Sequence, residues 1–191
     1  MRIGLFFGTF NPIHIGHLII GNFVAETTEL DQVWFVVSPQ SPFKQSFASL
    51  NEFDRLHLVE LATRDNDKLF PSDIEFGLPR PSYTIDTLAF LEESFPAYKF
   101  SLIMGSDNLM TLHQWKNHHL IIERHGLLVY SRTALIQENP YPNHPNVRVL
   151  EVPLLDISSS MIRDLIRRGV SARYLLPEQV WQYVDEMNYY K

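Results

Sequence analysis

Ile3-Gly4-Leu5-Phe6-Phe7-Gly8-Thr9-Phe10-Asn11-Pro12-Ile13-His14-Ile15-Gly16-His17 opens the chain with a strand, a turn and a helix start. The apolar run from Ile3 to Phe7 reads as a strand buried on both faces. Gly8 begins the turn, and a helical pattern sets in near His14. A helix N-terminus presents main-chain N–H groups and partial positive charge, which attract phosphate. His14 and His17 stand three apart, so they share a helix face and can both address an anion in the turn. The glycine-lysine-hydroxyl ending of a Walker A loop is absent, as is a G-x-G-x-x-G fingerprint, so this is a phosphate-binding turn of another kind. As zinc ligands the two histidines would need a third or fourth partner, and none is obvious nearby in the sequence.

The same alternation runs outward from this stretch. Strand candidates are 2–7, 32–37, 69–74, 100–104, 126–130 and 147–152; helix candidates are 14–27, 52–63, 85–93, 108–112, 159–168 and 177–186. Asn51 can cap the second helix, with Glu52 and Asp54 in its first turn. Ser158 or Ser159 can cap the late helix, Gly169 stops it, and Pro177 starts the last one. The pattern predicts an α/β fold: a doubly wound, Rossmann-like, mostly parallel sheet with helices on both faces. It predicts one domain over 1–191, with the helical part from about 158 to 191 packed on it. Residues 38–49 and 133–146, rich in proline, serine and asparagine, read as loops and candidate substrate-side walls. No internal repeat or linker interrupts the chain.

In open α/β sheets, ligands gather at the carboxyl ends of the strands where strand order reverses. Segment 8–17 follows the first strand, 39–44 the second, 105–107 the fourth and 131–132 the fifth. Segment 158–163 follows the last. Residues distant in sequence are therefore expected to converge on one sheet edge.

Composition narrows the function classes. The 191 residues suffice for one sizeable core, and the formal charge is −6. A nucleic-acid binder would normally carry a basic face, so nucleic acid is not an expected partner. The densest basic group, Arg163, Arg167 and Arg168, reads for its last two members as a solvated helix face. No apolar run nears the roughly 20 residues that span a bilayer. The opening residues read as strand, so neither a signal peptide nor a membrane partner is expected. Cysteine is absent, which suits a reducing cytoplasm and removes thiolate chemistry. Oligomeric state stays open, a homo-oligomer included.

Segment 8–17 resembles the T/HxGH signature of the nucleotidylyltransferase superfamily, G-x-F-x-P-x-H-x-G-H. Ile157-Ser158-Ser159-Ser160-Met161-Ile162-Arg163 resembles its second signature, I-S-S-T-x-I-R. Gly105-Ser106-Asp107 followed by Trp115 is similar to the G-x-D…W segment of bacterial nicotinate-nucleotide adenylyltransferases. Ser82-Tyr83-Thr84-Ile85-Asp86-Thr87-Leu88 is similar to their S-Y-T-x-D-T-L run. The matches occur in the family's order and span nearly the whole chain.

The resemblance implies adenylyl transfer: the phosphate of nicotinate mononucleotide attacks the α-phosphorus of ATP, pyrophosphate leaves, and nicotinate adenine dinucleotide forms. It implies His14, His17 and Arg163 as catalytic residues steadying the triphosphate. Gly8, Thr9, Phe10, Gly16, Gly105, Asp107, Ile157, Ser158 and Ser159 would line the ATP site. Gly16 would leave room for adenosine, and Asp107 would meet a ribose hydroxyl or help organise the metal. Lys44, Tyr83, Thr84, Trp115 and Arg132 would meet the mononucleotide, Trp115 as a platform for its ring. Mg²⁺ would accompany ATP. Arg55 could reach a phosphate or pair with Glu52 or Asp54; Arg163, outside that role, could pair with Asp164 or Glu151. The chain departs from the family pattern at Phe7, where a second glycine is frequent, at Asn11, where aspartate is common, and at Ser160, where threonine stands. Asn11 is expected to serve the turn. The alternatives are a nucleotidylyltransferase with a nicotinamide mononucleotide or phosphopantetheine acceptor, a nucleotide sensor without turnover, and a histidine metal site.

Overall fold

Apolar runs at 3–7, 33–37, 100–104 and 127–130 supply the centre of the sheet. The strands are β1 (Arg2–Gly8), β2 (Gln32–Val37), β3 (Leu69–Ser72), β4 (Lys99–Gly105), β5 (Gly126–Tyr130) and β6 (Val147–Leu150). In this computed structural model, which describes residues 1–39, 50–131, 139–153 and 155–191, they form one sheet in the order β3-β2-β1-β4-β5-β6. Every neighbouring pair is parallel, with Leu5 of β1 opposite Trp34 of β2 and Leu102 of β4.

The helices are α1 (Ile15–Thr27), α2 (Glu52–Thr63), α3 (Thr84–Ser94), α4 (Ser106–Thr111), α5 (His118–Arg124), α6 (Ser159–Arg167) and α7 (Glu178–Glu186). Successive strand residues point to opposite faces, so the sheet has two cores. Phe6, Phe35 and Val37 pack with Val24, Leu58, Ile162, Val180 and Val184 on one face. Leu5, Val36 and Leu102 pack with Leu88, Leu91, Leu112 and Ile121 on the other. This is the doubly wound arrangement that the alternation predicts. None of the described helices is long and apolar enough to cross a membrane.

Strand β3 and the stretch 118–124 depart from expectation for local reasons. Strand β3 stops at Ser72 because residues 73–76 close a turn, Phe76 N–H donating to the Asp73 carbonyl at 2.8 Å. Helix α5 was not expected: it follows Asn117, which takes left-handed φ and ψ of 52° and 37°, and buries only Ile121 and Ile122 in seven residues.

The reversal of strand order falls between β1 and β4, the first strand's two sides leading to β2 and to β4. Gly8 and Gly105 end these adjacent strands, so the crevice lies between them. A helix following a parallel strand starts at that strand's carboxyl end, so α1, α3 and α4 open at the same edge.

Candidate active site

Tight packing shapes the first turn. Phe10 has a φ of 46° and folds its ring beneath Gly8, where a Cβ would meet the ring at 2.7 Å. A side chain at residue 8 would force the buried Phe10 ring to shift. Phe10 stands edge-on to Phe6 and His17, with centroids 5.9 and 5.1 Å away. The His17 ring stacks on that of His14 at 3.7 Å, so aromatic contacts hold both imidazoles. The helix start adds its own bonds: His14 N–H donates to His17 Nδ1 at 3.2 Å, and His17 N–H donates to the His14 carbonyl at 2.9 Å. With Nδ1 accepting, a neutral His17 carries its proton on Nε2. At Gly16 a Cβ would meet the His14 ring at 3.1 Å and approach Ile157 at 3.9 Å. Its missing side chain thus gives the His14 ring room to fold over the helix, while the approach of Ile157 would be an ordinary contact.

That late segment crosses back to the centre of the sheet. Segment 158–163 follows β6 and lies against the loop after β1, the convergence on one edge that the sequence leads one to expect. Ser159 donates from Oγ to the Pro12 carbonyl at 2.9 Å. Arg163 donates from Nη1 to the Asn11 carbonyl at 2.7 Å and from Nη2 to Ser160 Oγ at 3.2 Å. Neither pairing proposed for Arg163 outside the site is formed: Asp164 instead meets Arg167 and Arg168 at 3.9 and 3.8 Å, on the exposed face. Ser158 caps α6 by accepting from Met161 N–H, which leaves its own proton for a ligand. The Ser159 proton is already directed at Pro12, so this serine joins the two segments.

Arg55 is almost wholly buried, at 1% exposure. Its guanidinium donates to the carbonyls of Thr9 at 2.6 Å, Ser38 at 2.8 Å and Pro39 at 3.2 Å, and its Nε to that of Leu50 at 3.1 Å. Burial pulls its pKa below the ordinary arginine value, partly offset by Glu52. The expected ion pair of Arg55 with Glu52 or Asp54 is not formed: Glu52 pairs with Arg80 at 2.7 Å, Asp54 bonds Asn51, and the guanidinium is a clamp on main-chain oxygens. Asn11 also does more than shape its turn. Its Oδ1 accepts from Tyr190 Oη at 2.7 Å and Leu50 N–H at 3.4 Å. Tyr190 was absent from the sequence reading, since nothing in its neighbourhood signals a partner 179 positions away.

A second group gathers at the start of α3. Tyr83 precedes the helix, Thr84 begins it, and Trp115 is half-buried against the core that includes Leu88. Lys116, beside Trp115, pairs with Asp86 at 2.8 Å and sits 5.0 Å above the Tyr83 ring. The 82–88 run and Trp115 are thus neighbours in space. Thr87 donates from Oγ1 to buried Glu75 at 2.9 Å, fixing the helix start from behind. Asp107 lies exposed in the first turn of α4, its carboxylate folded over Gly105. Lys44 and Arg132 lie outside the described residues.

The sheet order and this edge define a nucleotide-binding class, and comparison with known proteins agrees. A family model described as cytidylyltransferase-like matches residues 5–165. A protein of Flavobacterium psychrophilum named "Probable nicotinate-nucleotide adenylyltransferase" is 53% identical over 193 residues, covering 100% of both chains. One of the same name from Flavobacterium johnsoniae is 50% identical over 192 residues, again with 100% of both covered. The Plasmodium falciparum nicotinic acid mononucleotide adenylyltransferase solved with NaAD shares the fold, with a TM-score of 0.84 at 19% identity over 99% of this chain and 97% of that one. This chain belongs to the cytidylyltransferase-like family, in its nicotinate-nucleotide adenylyltransferase branch.

Proposed function

We propose that this chain transfers the adenylyl group of ATP to nicotinate mononucleotide, giving nicotinate adenine dinucleotide and pyrophosphate in NAD biosynthesis. One observation carries the reading: the histidine loop and the start of α6 are bonded together through Arg163 to Asn11 and Ser159 to Pro12. That union lets imidazoles, hydroxyls, helix N–H groups and a guanidinium meet one triphosphate. Relatives about half identical over their full length carry the same activity in their names.

The nucleophile is already an anion near neutral pH, so the site needs no strong base. A mononucleotide phosphate oxygen forms the new bond to the α-phosphorus, and the bond from that phosphorus to the bridging oxygen of pyrophosphate breaks. Catalysis is then positioning and charge stabilisation. His14 and His17 face the triphosphate. Arg163 uses two of its donors on Asn11 and Ser160 and offers the rest to departing phosphates. Ser158 and the N–H groups opening α6 complete the cradle. Trp115, Tyr83 and Thr84 receive the nicotinate ring, and Gly105 and Asp107 the adenosine side.

Mg²⁺ would enter as the partner of ATP. Among the described residues no group of three or more His, Asp or Glu could hold a metal ion; Mg²⁺ is commonly held by substrate phosphates, water and few carboxylates. Exposed Asp107 at the crevice is the carboxylate best placed to help. Within this reading residues 1–191 work as one domain in the cytoplasm.

Incubation with ATP, Mg²⁺ and a panel of acceptors tests the assignment. Nicotinate adenine dinucleotide and pyrophosphate are the expected products. Equal efficiency with nicotinamide mononucleotide would refute the acid-form preference, product from phosphopantetheine alone would move the chain to another branch, and ATP binding without pyrophosphate release would mark a sensor.

A further inference from the structure

We propose that Tyr190 is a positioning residue for the histidine loop, its hydroxyl on Asn11 Oδ1 fixing the turn that aims His14 and His17. The proposal rests on the adenylyl-transfer reading only for what the loop does. The turn at 9–11 is gripped from three directions. Arg55 holds the Thr9 carbonyl, Arg163 holds the Asn11 carbonyl, and Tyr190 reaches the Asn11 side chain at 2.7 Å. Asn11 is buried, at 6% exposure, so losing its strongest side-chain donor would leave an acceptor without water to replace it.

The segment after α7 is bent to make this contact. Tyr190 takes a φ of 67°, a left-handed conformation that an aromatic residue seldom adopts, and Asn188 precedes it at 54°. Tyr189 N–H donates to the Val184 carbonyl at 3.0 Å, and Lys191 pairs with Asp185 at 2.9 Å, tying the bend to α7. The Tyr189 ring lies 6.0 Å from that of Tyr183, which meets His57 of α2 at 4.7 Å. Helix α2 also carries Arg55, so the packing of α2 against α7 connects two of the three grips. Burial pushes the Tyr190 phenol well above its ordinary pKa although Arg163 and Arg55 pull it down; the hydroxyl therefore keeps its proton and remains the donor.

Tyr190→Phe in the full chain is the test, because it deletes the hydroxyl and keeps the ring. We expect kcat to fall about tenfold with both KM values within about twofold, and amide exchange across 9–17 to quicken while the rest of the protein is unchanged. In an Asn11→Ala background the same change should cost less than about twofold, since the bond is already gone. Retained kcat with unchanged exchange would overturn the proposal, and so would an undiminished loss in the Asn11→Ala background. If the wild-type protein made no dinucleotide, the adenylyl-transfer reading would fall. Exchange at 9–17 would then still decide the link between Tyr190 and the loop.

Discussion

Arg163 Nη1 donates to the Asn11 carbonyl at 2.7 Å, joining residues 152 positions apart. The bond makes one surface of two motifs whose apolar residues, Phe10 and Ile13 with Ile162, share one core. A lysine could supply the charge but not the fork that spans Asn11 and Ser160 and, in the proposed reaction, a phosphate as well. Arg163→Lys is expected to lower kcat/KM by about two orders of magnitude and unfolding free energy by about 1–2 kcal/mol. Steady-state kinetics and urea melts measure both, and full activity in the lysine variant would reduce the guanidinium to a bystander.

Arg55 should reveal itself through stability. Replacing it with methionine removes the donor from four main-chain oxygens at the ends of β1 and β2 and before α2. A loss of about 3 kcal/mol is expected in chemical denaturation. A variant of normal stability that fails to bind ATP would instead place Arg55 among the substrate ligands.

His17 accepts the His14 N–H at the helix start and, in the proposed reaction, faces the triphosphate. His17→Ala should cut turnover by about two to three orders of magnitude. It should also cost about 1 kcal/mol, because His14 N–H loses its acceptor. Near-normal turnover in a folded variant would remove the residue from the mechanism.

Trp115 is half-buried, so its loss has a packing component of about 2–3 kcal/mol. The distinguishing readout is kinetic. Trp115→Ala should raise the KM for the mononucleotide more than that for ATP; a stability loss with both KM values unchanged would make the indole a core residue only.

Acid should weaken the fold through His125. The ring is buried, at 4% exposure, and burial holds its pKa below the ordinary 6.5, opposed in part by Glu92. The unfolded chain therefore binds the proton more readily than the folded one. The stabilising contribution is complete above the unfolded value and is lost as pH falls below it toward the folded value. Melting temperature measured across this range should drop on acidification, and His125→Phe should flatten that limb. An unchanged slope in the variant would assign the acid sensitivity elsewhere.

Legibility from sequence followed the range of each interaction. β2, β5 and α2 coincide with the expected 32–37, 126–130 and 52–63, because a continuous apolar run or an asparagine cap marks each border locally. α5 escaped because a seven-residue helix entered through a left-handed asparagine shows no amphipathic period. At the site, the histidine pair and the serine-arginine segment could be read as candidates. Arg55 and Tyr190 could not: their partners are main-chain oxygens and a distant amide, and no spacing in the sequence encodes either.

From its residues alone, this chain dictated a doubly wound sheet, an anion-seeking helix start with two imidazoles, and the chemical types of group available for phosphate. Those follow from apolar periodicity, backbone polarity and side-chain chemistry, all of which act over a few residues. The tertiary structure decided which bonds tie the segment after β6 to the loop after β1, that Arg55 clamps carbonyls, and that Tyr190 braces Asn11. Such choices depend on which donors and acceptors are buried together once the two cores close, and that is a property of the packed molecule.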